Sequence, residues 1–283
     1  MKYPAQPLSV TDHRRDSAGM TYVYPVLSRR AGGISVGINL NPNNACNWAC
    51  VYCQVPDLTR GGPPPIDLAQ LAAELNALLD DIQSGEFMAH AAPPEARQIM
   101  DIAFSGNGEP TSAAEFPQAV ALVGDLLAAR QLAGKIKVRL ITNGSLLHRA
   151  EVQAAIAHLG RLNGEVWFKV DRATPAGMEA VNGTRLEPAR VLANLRRCGE
   201  LAPTWVQTCL FLQDGQAPAE AEIQAYLDLL AQARDRLQGI HLYGLARPSL
   251  QPGAEHLGRL PSDALTTIAH RIEALGLQVV ATP

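Results

Sequence analysis

The sequence predicts an α/β domain whose parallel strands curl into a partial barrel, and three observations carry that expectation. Strand-like and helix-like segments alternate along nearly all of the 283 residues. The polar, chemistry-bearing clusters fall directly after strands, where α/β folds build their sites. The Pro- and Gly-rich stretches at 61–65, 92–94 and 248–253 are short enough to be loops and not linkers between domains.

A β-rich run at 35–40 opens the series and leads into a cysteine-bearing loop. Residues 66–82 have helical periodicity, with Leu68, Leu71, Leu75, Leu78 and Leu79 on one stripe. The apolar run 98–105 (QIMDIAFS) reads as a buried strand, 114–132 as a helix and 136–142 (IKVRLIT) as the next strand. The alternation repeats as helix 149–159, strand 165–171, helix 187–200 and strand 204–212. Helix 219–237, strand 240–246, helix 262–275 and a closing strand 277–281 complete it. Strands alternating with helices of about 10–15 residues imply βαβ units on a parallel sheet. About six or seven such units curl most of the way round a barrel, and a doubly wound open sheet is the alternative that periodicity leaves open. The expected division is an N-terminal extension over 1–34, carrying Arg14, Arg15, Arg29 and Arg30, followed by one domain over 35–283.

Composition narrows the function classes. A hydrophobic content of 47% against 18% charged residues supports a real core and excludes a disordered chain. With 24 Lys+Arg against 27 Asp+Glu the net charge is -3, so no broad basic surface offers itself to nucleic acid, although a local patch could still grip a folded tRNA. No apolar run nears the roughly 18 residues of a membrane span, and the polar start MKYPAQPLSVTDHRRDSAG does not read as a signal peptide. The expected compartment is the cytoplasm. Five cysteines, with three crowded into one short loop, do not form a secreted disulfide framework; in a reducing compartment such a group holds metal.

That loop reads NPNNACNWACVYCQVPD and gives Cys46-x3-Cys50-x2-Cys53. Thiolates this dense select zinc, copper(I) or iron–sulfur. A structural zinc site wants four ligands, usually in two separated pairs, and here there is no second pair and no His in the loop. A four-iron cluster on three thiolates leaves one iron open to bind and reduce a further ligand. Three buried apolar cysteines are the bland alternative.

Further along, Gly106-Asn107-Gly108-Glu109-Pro110-Thr111 follows the second barrel strand. Its glycines let backbone come close to a ligand, and Glu109 adds a carboxylate acceptor. It is not a dinucleotide-binding fingerprint, because Thr111 takes the third glycine position. The third strand ends in Thr142-Asn143-Gly144-Ser145, a polar turn. In Trp167-Phe168-Lys169-Val170-Asp171, alternation puts Lys169 and Asp171 on one face. Buried charge needs a partner, so the two are either a pair facing the barrel mouth or a structural ion pair at its rim. The later strands offer Gln207, Tyr243 and Arg247 as substrate contacts, Arg247 being a guanidinium fixed before a proline and suited to a carboxylate or phosphate. His241 belongs low in the barrel. Cys209 is a relay thiol or a small core residue, and Cys198 packs within its helix.

The spacing Cys-x3-Cys-x2-Cys, with the aromatic Tyr52 just before the last cysteine, resembles the signature of the radical SAM superfamily. The resemblance implies a partial (βα)6-type radical SAM barrel and a [4Fe–4S] cluster on Cys46, Cys50 and Cys53. The open iron would chelate the amino and carboxylate groups of S-adenosylmethionine. Reduction then yields methionine and a 5′-deoxyadenosyl radical, which abstracts a hydrogen from substrate. It also implies that Tyr52 lies near the adenine, and that Gly106, Asn107, Gly108 and Glu109 stand for a Gly-Gly-Glu-like stretch receiving the methionyl ammonium. Asn143, Lys169 and Asp171 would lie close to the same cofactor. A small flavodoxin- or ferredoxin-like reductant is the implied partner.

The likeness runs from about Tyr22 to the end, and the order FSGNGEPT, ITNGSLL and a late Arg-Pro is similar to relatives of wyosine-type tRNA-modifying enzymes. It departs from them in one respect: wyosine synthesis resembles a reaction needing a second cluster and a pyruvate-condensing lysine. Outside the loop only Cys198 and Cys209 remain. The expectation is therefore a radical SAM enzyme acting on an unidentified small molecule, peptide or RNA base. The alternatives are an activase installing a glycyl radical in a partner protein and a non-catalytic metal-binding protein.

Overall fold

Runs of β-branched and aromatic residues alternate with leucine- and alanine-rich segments, and in the computed structural model these become strands and helices in turn. The structure describes residues 8, 19–28 and 32–283; Arg14, Arg15, Arg29 and Arg30 lie outside them. The chain begins with β1 (Val23–Ser28), β2 (Gly33–Ile38), β3 (Ala45–Cys46), β4 (Thr59–Arg60), α1 (Leu68–Ser84) and α2 (Glu86–Ala91). It continues through β5 (Ile99–Phe104), α3 (Phe116–Ala129), β6 (Lys137–Thr142), α4 (Ala150–Arg161), β7 (Gly164–Lys169), α5 (Pro175–Asn182) and α6 (Pro188–Leu201). It closes with β8 (Thr204–Cys209), β9 (Phe211–Gln213), α7 (Glu220–Ala233), β10 (Gly239–Tyr243), β11 (Leu257–Arg259), α8 (Ser262–Glu273) and β12 (Val279–Thr282).

Eight strands form one sheet in the order β1-β2-β5-β6-β7-β8-β10-β12. β1 is antiparallel to β2, and every later neighbour is parallel. Strand order follows chain order without reversal, which rules out the doubly wound alternative, since that fold reverses at a switch point. The edge strands do not pair, yet Tyr24, Val26 and Ser28 of β1 and Thr282 of β12 line the same cavity as residues of β5, β6 and β7. The sheet is therefore curled into a half-barrel.

Alternation sorts its two faces. Val36, Ile38, Ile102, Phe104, Val138, Leu140, Val166, Phe168, Val206 and Ile240 point outward into one apolar core against the helices. Their neighbours, among them Ser35, Asp101, Arg139, Trp167, Lys169 and Gln207, line the interior. α1 shows how a helix closes the outer layer. Asp67 caps its start by accepting from the N–H groups of Ala69 and Gln70, Gly85 ends it in left-handed backbone, and Leu71, Leu75, Leu78 and Leu79 are buried. Each such leucine contributes about 1.5–3 kcal/mol.

The sheet takes in more of the N-terminus than the expected boundary at residue 35, because Val23 and Leu27 of β1 are buried in the same core as Ile34. Pro25 is tolerated there since an edge strand need not donate outward. The expected strand 204–212 divides after Cys209; Phe211–Gln213 leaves the sheet and pairs antiparallel with Leu257–Arg259. The expected strand 165–171 stops at Lys169. Asp171 lies beyond it because its carboxylate accepts from the Cys209 N–H at 2.9 Å, displacing the next ladder bond. Among the described residues no helix is long and apolar enough to cross a membrane.

Candidate functional site

The interior of the half-barrel holds a cavity of about 330 Å³. Its wall includes Cys46, Cys50, Tyr52, Cys53, Gly106, Asn107, Gly108, Glu109, Asn143, Lys169, Gln207, Tyr243 and Arg247. Thus all but one of the residues expected from the sequence to hold cluster, cofactor or substrate line one space. The exception is Asp171, which stands behind that wall.

The cysteine loop has almost no regular structure of its own, only the two-residue pairing of β3 with β4. Asparagines hold it instead. Asn41 Nδ2 donates to the Ala45 carbonyl at 3.0 Å, and Asn44 adopts the left-handed conformation that asparagine tolerates. Asn39 Oδ1 accepts from the N–H of both Asn41 and Asn107. Asn44 Oδ1 accepts from Asn107 Nδ2 at 2.7 Å, and Asn47 Oδ1 from Asn143 Nδ2 at 2.8 Å. From the far end of the chain, Ser249 Oγ donates to the Val51 and Cys53 carbonyls, and Gln251 Nε2 to those of Cys53 and Val55. Asn39, Asn41, Asn47, Ser249 and Gln251 were not legible as site residues, although the asparagine density of NPNNACN was a signal.

Two glycines let the second loop press against the first. Gly106 has φ +134° and a Cβ there would overlap Asn39, and a Cβ on Gly108 would overlap the Ala45 carbonyl. Glu109 then locks the second loop to the third. Its Oε1 accepts from the Thr111 N–H at 3.1 Å and from the hydroxyls of Thr111 and Thr142 at 2.6 Å, and its Oε2 accepts from the Asn143 N–H at 2.6 Å. Burial pushes this carboxyl's pKa up in spite of those bonds. Asn107, Glu109 and Asn143 thus line the cavity with side chains already bonded to neighbouring residues.

Lys169 combines the two readings its sequence left open. Its Nζ lies 3.3 Å from Tyr243 Oη, 3.9 Å from Asp171 Oδ2 and 5.0 Å from the centre of the Tyr52 ring. Burial alone would lower its pKa, but Asp171 foremost holds it above the ordinary lysine value. Tyr52 Oη donates to Asp171 Oδ2 at 2.5 Å, and burial, followed by that carboxylate, drives the phenol's pKa up. Burial also pushes the Cys46 thiol up to about 11 and Cys50 up to about 12. Metal binding would therefore have to displace protons from them. N–H groups stand ready for the resulting charge: the Trp48 N–H lies 3.5 Å from Cys46 Sγ and Asn182 Nδ2 lies 3.3 Å from Cys50 Sγ. Soft sulfur donors with N–H groups aimed at them fit an iron–sulfur cluster. Among the described residues no group of three or more His, Cys, Asp or Glu side chains is placed to hold a single metal ion.

Lower in the barrel, a second polar group sits on the strands themselves. Arg139 is bonded to both Asp101 and Glu165, the latter through Nε at 2.7 Å, and Ser35 donates to Asp101. The guanidinium lies over Trp167, whose Nε1 donates to Glu165 at 3.0 Å. His241, expected low in the barrel, lies between the rings of Trp167 and Trp205 at 4.5 and 4.7 Å. Cys198 is fully buried beside the Thr204 hydroxyl.

Solved structures share this fold. A radical SAM methyltransferase from Sphaerobacter thermophilus matches with a TM-score of 0.63 and 15% identity over 99% of this chain and 77% of its own. TYW1 with a lysine–pyruvate adduct bound gives 0.58 and 14% over 93% and 78%. Streptococcus suis SuiB bound to the precursor peptide SuiA gives 0.58 and 13%, this chain covering 48% of it. At these identities the likeness is one of fold. Among curated proteins, the GTPase Obg of Brachyspira hyodysenteriae is 29% identical over 130 residues, which make up 46% of this chain and only 16% of that protein. The family model of the Radical SAM superfamily matches residues 40–230, more than half of the chain, from just before the cysteine loop to within α7. With that match laid over a half-barrel whose three cysteines open onto its cavity, the chain belongs to the radical SAM superfamily and is an enzyme of that kind.

Proposed function

We propose that Cys46, Cys50 and Cys53 hold a [4Fe–4S] cluster, that the adjoining cavity binds S-adenosylmethionine, and that the enzyme acts by radical chemistry on a substrate not yet identified. The observation that carries this reading is convergence: three thiols of one loop share a single cavity with the two glycine- and asparagine-containing loops bonded to it. When bound, the two groups supply reductive cleavage of a carbon–sulfur bond and a 5′-deoxyadenosyl radical that takes hydrogen from substrate.

The chain's own residues bind, orient and shield. Gly106 and Gly108 leave backbone bare on the cavity wall, and Glu109 fixes that backbone against Asn143. Lys169, oriented by Tyr243 and Asp171, presents a cation to a carboxylate or ribose. Tyr52, tied to Asp171, offers a ring face for an adenine. Gln207, Tyr243 and Arg247, carried on or beyond β8 and β10, are the substrate contacts in this reading. The enzyme works in the cytoplasm and draws its electron from a small flavodoxin- or ferredoxin-like protein.

Anaerobic reconstitution with iron and sulfide, followed by metal and sulfide analysis, tests the assignment. About four irons per chain are expected, lost in Cys50→Ala. Zinc on the thiolates in place of iron and sulfide would overturn it.

A further inference from the structure

Asn182, the last residue of α5, has a role in neither the radical chemistry nor substrate contact as read above, yet it is 1% exposed and reaches one of the three thiols. Its Nδ2 donates to Asp171 Oδ2 at 2.8 Å and to Cys50 Sγ at 3.3 Å. A carboxamide nitrogen carries two hydrogens, so both bonds can exist together. Independently of the side chain, its backbone carbonyl accepts from the Ala49 N–H at 3.0 Å, and Val181 does the same for Val51 at 2.9 Å.

Local structure explains how the amide gets there. Thr174 caps α5 by accepting from the Gly177 N–H, and the helix ends at Gly183 in left-handed backbone, φ +61°. A Cβ on Gly183 would come within 2.8 Å of the Ala49 carbonyl, so the helix end touches the cysteine loop only because that position is glycine. Asp171 is itself pinned by the Cys209 N–H on one oxygen and by Tyr52 Oη on the other. The carboxylate therefore fixes the amide plane, and the remaining amide hydrogen points at sulfur.

We propose that Asn182 sets the reduction potential of the cluster: its N–H withdraws negative charge from the Cys50 thiolate and so makes the cluster easier to reduce. This rests on Cys50 being a cluster ligand. Asn182 is a positioning residue, acting through Cys50 and not on substrate.

The test is an EPR-monitored redox titration of the full chain, reconstituted anaerobically, with iron and sulfide counted in every sample. Asn182→Leu removes the donor at nearly constant volume, Asn182→Ala removes it with less crowding, and Asn182→Gln keeps an amide. The expected result is a shift to more negative potential in the Leu and Ala variants at full iron content, with part of the shift recovered in Asn182→Gln. Potentials equal to wild type in both donor-free variants would overturn the proposal. Loss of the cluster from both, with circular dichroism unchanged, would also overturn it and leave Asn182 a structural role. A wild-type chain that takes up no cluster would overturn the underlying reading at the first step, before any variant is compared.

Discussion

The mouth and the floor of the half-barrel both bury polar side chains, and they do so in opposite ways. At the mouth, loops with hardly any secondary structure are held by side chains from distant parts of the chain: Asn143 reaches Asn47 and Ser249 reaches Cys53. On the floor, Ser35, Asp101, Arg139 and Glu165 belong to the adjacent strands β2, β5, β6 and β7 and satisfy one another across the sheet. The floor closes on itself, one guanidinium between two carboxylates. The mouth closes only its framework and leaves thiols, bare backbone and Lys169 turned to the cavity. Ser35, Asp101 and Arg139 line the same cavity but are bonded to one another, so polar groups around a space do not alone mark a site.

The sharpest break between the regions comes from Cys50→Ala. It should abolish iron retention while leaving the unfolding of the metal-free protein close to wild type, as iron analysis and circular dichroism would show. A variant that keeps its iron would remove the distinction altogether. Arg139→Met should do the reverse. Leaving buried Asp101 without its cation, and Glu165 with Lys137 alone, costs about 3–5 kcal/mol in denaturant unfolding, with iron uptake per folded molecule unchanged.

Glu109→Ala probes a residue of the mouth that is bonded like one of the floor. Iron should be retained, while affinity for S-adenosylmethionine falls about tenfold or more, equivalent to about 1.4 kcal/mol, as the second and third loops come apart. An affinity equal to wild type in a calorimetric titration would put the cofactor elsewhere.

The smallest effect is one of pH. Burial works to raise the Glu165 pKa, but Arg139 and the Trp167 N–H win and hold it below the ordinary glutamate value. The unfolded chain then binds the proton more readily than the folded one. Glu165 thus contributes stability above about pH 4.3, lost as pH falls through its lowered folded value. Asp101 has the opposite sign, since burial outweighs Arg139 and raises its pKa; its term favours the fold at low pH and is lost as pH rises through the raised value. Glu165→Gln should therefore lose less stability than wild type between neutral pH and about pH 4 in thermal unfolding. Equal losses would mean that Arg139 does not hold Glu165 ionised.

The same contrast explains what could be read from the sequence. The order of strands was legible because outward-facing Val36, Ile102, Leu140 and Val166 recur with helices between them. The cysteine loop and the stretch from Gly106 to Glu109 were legible because residue type and spacing alone name their chemistry. Asn182, Ser249 and Gln251 were not, because their meaning lies in partners up to 198 residues away. α5 escaped notice, being only eight residues long and lying inside what reads as a loop. β1 did so because Pro25 interrupts a short run. Asp101, Arg139 and Glu165 read singly as charges within strands, and only the sheet register brings them together. Asp171 was placed on a strand face, whereas its bond to the Cys209 N–H puts it just past the strand's end.

The most direct test of the central claim is the formation of 5′-deoxyadenosine from S-adenosylmethionine by the anaerobically reconstituted, dithionite-reduced protein. The account predicts the nucleoside from wild type and none from Cys46→Ala. A wild-type chain carrying its full cluster that produces none, either alone or with cell extract supplying substrate, would contradict it.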